Sequence, residues 1–158
     1  MTNQQKQEFT RRISQANGTE LTVIVYDIAL TYLQEGKAAI EEGNETEYIL
    51  QLQKGEKCIN DCITSLNFLY EPAKNLHEIY LYIKTCLRKA RMEKKVSLVE
   101  EAISHIKTLR DAYESITDQD TFGPVMEHAQ TVTAGLTYGK NAVCEDLTDN
   151  SSNRGFCV

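Results

Sequence analysis

Residues 17–33 read NGTELTVIVYDIALTYL, and their spacing decides the fold. Asn17 and Glu20 make a capping-box pattern. The Asn side chain can accept a free backbone N–H, and the Glu can reach back to the cap. Leu21, Ile24, Val25, Ile28, Tyr32 and Leu33 then follow at three- and four-residue steps, the period of a helix with one apolar face. The block runs to about Glu42 and stops at Gly43. Its roughly 24 residues, at ~1.5 Å each, span about 36 Å.

Three more blocks repeat this pattern. Asn44-Glu-Thr-Glu47 opens the second, with Leu52, Cys58, Ile59, Cys62, Ile63, Leu66 and Leu69 on its apolar face. It is expected to end near Tyr70, because Pro72 disfavours helix geometry at the residue before it. Pro72 can itself start the third block, whose missing N–H costs nothing in a first turn. Leu76, Ile79, Tyr80, Ile83, Cys86, Leu87 and Ala90 form that face, and five Lys and Arg residues crowd its C-terminal end, where positive charge suits the helix dipole. Ser97-Leu-Val-Glu100 is the expected cap of the fourth block, lined by Val99, Ala102, Ile103, Ile106, Leu109, Tyr113 and Ile116. Four long helices with short connections favour antiparallel neighbours. The expected architecture is all-α: an antiparallel four-helix bundle over residues 17–117, a short N-terminal segment (1–16) before it and a C-terminal extension (118–158) after it.

Composition fits one soluble domain. The 158 residues are 41% apolar and 25% charged, with two prolines and no Trp, which argues against a collagen, a disordered polymer or a turn-rich β-sandwich. No apolar run reaches the 18 or so residues of a membrane helix, so no membrane insertion is expected. The opening MTNQQKQEFTRR lacks the apolar stretch of a signal peptide. A cytoplasmic location follows as the expectation, and the five irregularly spaced cysteines then read as reduced thiols. Residues 1–117 carry 15 basic and 17 acidic groups; residues 118–158 carry 2 and 6. Neither part has the dense positive surface that phosphate binding requires, so nucleic acid is not an expected partner.

Catalytic and metal chemistry find no foothold. Di-iron bundles need Glu-x-x-His on two helices. None of the three histidines follows a Glu at that spacing. Cys58, Cys62 and Cys86 sit on apolar faces and read as small buried hydrophobes. Gly135-Leu-Thr-Tyr-Gly139-Lys140-Asn141 superficially resembles a phosphate loop, but it is one residue short and has Asn where a hydroxyl should hold the metal. Beyond Thr117 the chain turns rich in Thr, Asp, Asn, Ser and Gly. One stripe there, Val125, Ala129, Val132 and Leu136, has helical spacing; the last dozen residues read as disordered in isolation.

The stretch ELTVIVYDIALTYL, followed by Ala38-Ala-Ile-Glu41, resembles the first long helix of the flagellar secretion chaperone FliS family, with its Leu-x-x-x-Leu-Tyr-Asp-Gly-Ala pattern. NLHEIYLYI (75–83) resembles that family's third-helix pattern, and LRDAYE (109–114) its closing segment. The resemblance covers roughly residues 9–114. It implies a helix bundle that binds the C-terminal segment of flagellin in the cytoplasm, prevents its early polymerisation, and delivers it to the export apparatus by docking on the membrane component FlhA. It implies no catalysis and no cofactor. It further implies an N-terminal segment that packs over part of the client groove until the client displaces it, with Phe9 and Ile13 near the cap positions. Phe9 stands where Tyr is usual, Ile28 where Gly is usual, and Gly36 where Ala is common, the last at roughly 1 kcal/mol in helix propensity.

A bundle of this kind can offer apolar grooves in which a disordered client end folds. The expected groove residues are Leu66, Leu69, Leu76, Tyr80, Ile83 and Leu87, with Ile13 from the cap. An exposed apolar strip invites self-association, so a homodimer stays open. The tail stripe Val125, Ala129, Val132 and Leu136, with Tyr138 beyond, could lie in the same groove as a tethered client mimic. The alternative reading is a helical adaptor or signalling module with no secretion role.

Overall fold

The computed structural model describes residues 1–126. They form five α-helices and no strand: α1 (Asn3–Gln15), α2 (Gly18–Glu41), α3 (Glu45–Thr64), α4 (Pro72–Glu93) and α5 (Val96–Glu114). A short 3-10 turn, Thr117–Gln119, follows. Ala129, Val132, Leu136 and Tyr138 of the expected tail stripe, and the Gly135–Asn141 loop, lie outside the described residues.

Caps set most of the boundaries. Asn17 Oδ1 accepts from Glu20 N (2.8 Å), and Glu20 Oε2 accepts in return from Asn17 N (3.0 Å). Gly43, after α2, takes a left-handed φ of 71°, which glycine adopts without steric cost. Asn44 caps α3 on one arm only, accepting from Glu47 N, while the Glu47 carboxylate accepts from Gln51 Nε2 instead (2.5 Å). Pro72 occupies the first turn of α4 as expected.

Three boundaries differ from the sequence expectation. Residues 3–15 of the N-terminal segment, for which the sequence reading named no helix, form one, started by a reciprocal capping box between Thr2 and Gln5. α3 stops at Thr64, well short of Tyr70. There Thr64 Oγ1 donates to Asp61 O and Ser65 Oγ to Cys62 O, while Asn67 Oδ1 turns the chain by accepting from Leu69 N. Such local side-chain bonds compete with the helix ladder. α5 begins at Val96 behind Lys95, with no side-chain cap, so Ser97 lies inside the first turn and caps nothing. Left-handed Lys94 closes α4, and only Lys94 and Lys95 connect it to α5.

α2–α5 share one core. Tyr26, Leu33, Leu52, Ile59, Tyr80, Ile83, Leu87, Val99 and Ile106 are all fully buried in it. Gly36 meets Leu52 and Gly55 meets Leu33 between α2 and α3. Lys37 pairs with Glu100 (2.6 Å) and Asp27 with Arg110 (3.0 Å) between α2 and α5. Glu56 takes Arg88 (3.2 Å) and Arg91 (2.8 Å) between α3 and α4, and Tyr82 on α4 donates to Glu101 on α5 (2.5 Å). The two glycines are not merely a loss of helix propensity. A Cβ on Gly36 would lie 2.8 Å from Leu52 Cδ2, and one on Gly55 would lie 2.6 Å from Leu33 Cδ2. Each glycine is the hole for the other helix's leucine.

Candidate interaction site

α1 lies outside this core, against α2. It has no buried residue. Phe9 and Ile13, four apart, are its half-buried apolar positions. Polar contacts hold it. Arg12 reaches Asp27 Oδ2 (2.9 Å), and its guanidinium also lies over the Phe9 ring, 5.8 Å from the centroid. Asp27 Oδ1 accepts from Arg110 (3.0 Å), so one carboxylate ties α1, α2 and α5 together. At the other end of α1, the Met1 amine pairs with Glu35.

Between α1, α2 and the end of α5 lies a cleft of about 470 Å³. Ala16, Val23 and Ile24 supply its apolar lining, and Arg11, Arg12, Glu20 and Glu114 its charged rim. Val23 and Ile24 are buried, so moving α1 away would bare an apolar surface on α2.

The expected groove residues divide. Tyr80, Ile83 and Leu87 are 1%, 0% and 0% exposed: they are core, not groove. Helical spacing places them on the inward face of α4, and α2, α3 and α5 cover that face. Leu69 is 90% exposed, and Leu66 and Leu76 are half-buried beside the core. Leu69 belongs to an exposed run, Phe68-Leu69-Tyr70, in the α3–α4 connection; Phe68 there packs edge-on to His77 with centroids 5.6 Å apart. A helix running to Tyr70, as the spacing predicts, counts only Leu69 of this run on its apolar face. Three successive large apolar residues just before a proline were the available signal. A shallower groove of about 400 Å³ lies between α4 and α5, lined by Glu78, Ile79, Tyr82 and His105.

The polar groups inside the core are spent on structure. The Tyr26 and Tyr80 hydroxyls share a hydrogen bond, and Tyr113 packs edge-on against Tyr26 at 5.7 Å. Burial pushes both shared phenols far above the ordinary range. It also pushes the Cys62 thiol up to about 12 and the Cys58 thiol to about 11, which leaves both poor nucleophiles at neutral pH. Among the described residues, no three His, Cys, Asp or Glu side chains group so as to hold a metal ion. Likewise no described helix is long and apolar enough to cross a membrane.

Two apolar features thus stand at the surface: the cleft beside the weakly held α1, and the exposed aromatic run of the α3–α4 connection. The model of the family described as "Flagellar protein FliS" matches residues 1–120, which takes in all five helices. A search of the curated proteins gave no match. With the matched span covering everything from α1 to the turn after α5, the chain belongs to the flagellar protein FliS family, whose role is that of a flagellar export chaperone.

Proposed function

We propose that α2–α5 form an antiparallel four-helix bundle that binds the C-terminal segment of flagellin in the cytoplasm, keeps it from polymerising, and hands it to the export apparatus at FlhA. No catalytic step is part of this reading. The observation that carries it is α1: a helix of 13 residues with no buried side chain, seated over buried Val23 and Ile24. A helix of that length is marginal on its own. Its ion pair to Asp27, partly open to solvent, contributes at most about 1 kcal/mol. α1 therefore suits the part of a cover that a better apolar ligand displaces. Phe9 and Ile13 are its contact residues.

Leu66, Leu69 and Leu76, with Phe68 and Tyr70, extend the proposed client surface. A disordered client end that folds onto these patches offsets its ordering cost by burial, at roughly 25 cal/mol per Å². Calorimetric titration of a flagellin C-terminal peptide into the full chain tests the reading. Binding with a negative heat-capacity change is expected, weakened at least tenfold by Leu69→Asp, which is too exposed to disturb the core. Absence of uptake overturns the reading. A homodimer through the same apolar run would compete with the peptide and would show as a dimer that dissociates on peptide addition.

A further inference from the structure

The joint between α1 and α2 is only Ala16 and Asn17, and any swing of α1 must change the backbone there. Ala16 is 3% exposed, although nothing in α1 itself is buried. What meets this joint is the segment after α5. Asp120 Oδ2 accepts from Thr19 N (3.1 Å) and Thr19 Oγ1 (2.7 Å); Asn17 Nδ2 donates to Asp120 O (3.3 Å). Val125 N donates to Ala16 O (3.0 Å). Asp120 Oδ1 also accepts from Phe122 N (3.2 Å), which turns the segment back toward the joint.

Each bond has a distinct effect. Thr19 N is one of the first-turn amides of α2 that have no partner within the helix. Asn17 satisfies the neighbouring Glu20 N, and Asp120 satisfies this one. The bonds from Thr19 hold the Asp120 carboxyl below the usual carboxylate range, so it stays charged at the positive end of the α2 dipole. Val125 fixes the direction of the Ala16 carbonyl itself, the group that must turn if α1 swings out.

We propose that residues 120–126 form a clasp that holds α1 against α2 by fixing the Ala16–Asn17 joint. α1 is then governed by the segment after α5: its own packing is weak, and the clasp sets how often it opens. The consequence for the client rests on the flagellin-binding reading above: a looser clasp uncovers the cleft and favours the peptide.

Amide hydrogen exchange on the full-length chain tests the clasp. Asp120→Ala removes the acceptor on Thr19, and Asp120→Asn restores an acceptor there. Val125→Pro removes the N–H to Ala16, at a position 56% exposed. Amides of residues 3–15 should exchange about five- to tenfold faster in Asp120→Ala and in Val125→Pro, what losing one or two hydrogen bonds gives, with α3–α5 unchanged and Asp120→Asn close to wild type. Unchanged exchange of α1 in both Asp120→Ala and Val125→Pro overturns the clasp. Flagellin peptide affinity, measured on the same variants, separates the two ideas. If α1 exchange rises while the peptide binds none of them, the clasp stands and the client reading fails.

Discussion

The α2–α3 seam and the α1–α2 contact use the same helix for opposite ends. On one side of α2, Leu33 and Leu52 fill the holes left by Gly55 and Gly36, both leucines fully buried. On the other side α1 buries no side chain and is held by Arg12 on Asp27 and by the clasp at its joint. Close apolar packing makes a permanent contact, since leaving it would open a cavity. A polar contact at the surface exchanges readily for water or for another ligand. The contrast sorts the molecule into a fixed scaffold and a removable cover.

Five experiments break or sharpen that contrast. Raising the pH should act on the scaffold. Cys62, Cys58, Tyr26 and Tyr80 all have folded values raised by burial, whereas the unfolded chain ionises at ordinary values. The contribution of the thiols is fully present below about pH 8.5, their ordinary value, and is lost as pH rises toward the folded values of about 11 for Cys58 and about 12 for Cys62; that of the phenols begins to be lost only above about pH 10. Denaturation midpoints should therefore fall steadily through that window, and a flat profile would contradict the buried cluster. Leu33→Ala should cost about 2–5 kcal/mol by chemical denaturation. Gly55→Val should cost about 1–3 kcal/mol by overpacking against Leu33. A double-mutant cycle of Leu33→Ala with Gly55→Ala should show coupling, because the first substitution clears the space the second fills. Arg12→Gln should change global stability by no more than about 0.5 kcal/mol, since Asp27 keeps Arg110, while raising exchange in α1 a few-fold. A large global loss in Arg12→Gln would place α1 in the scaffold.

The sequence is legible where a boundary is local. Asn17, Gly43 and Pro72 place the ends of α2 and the start of α4, because cap and turn chemistry acts within a few residues. The same rule was available for α1, whose Thr2 and Gln5 are at capping-box spacing, but only Phe9 and Ile13 give it an apolar face. The end of α3 is not legible in the periodicity, because Ser65 takes a last-turn carbonyl and Asn67 turns the chain through Leu69 N. Burial was harder to read. Periodicity shows that Tyr80, Ile83 and Leu87 share a face with Leu76, but not how far the neighbouring helices cover it. The cost of Gly36 to its own helix is visible in the sequence; the leucine it admits, on another helix, is not. The Asp120–Thr19 bond joins residues 101 apart and leaves no local signal at all.

Hydrogen exchange of the full chain, with and without a saturating flagellin C-terminal peptide, bears most directly on the division into scaffold and cover. The account predicts that amides of residues 3–15 lose protection when the peptide binds, while those of α2–α5 keep or gain it. A peptide that binds and leaves α1 as protected as before would contradict it.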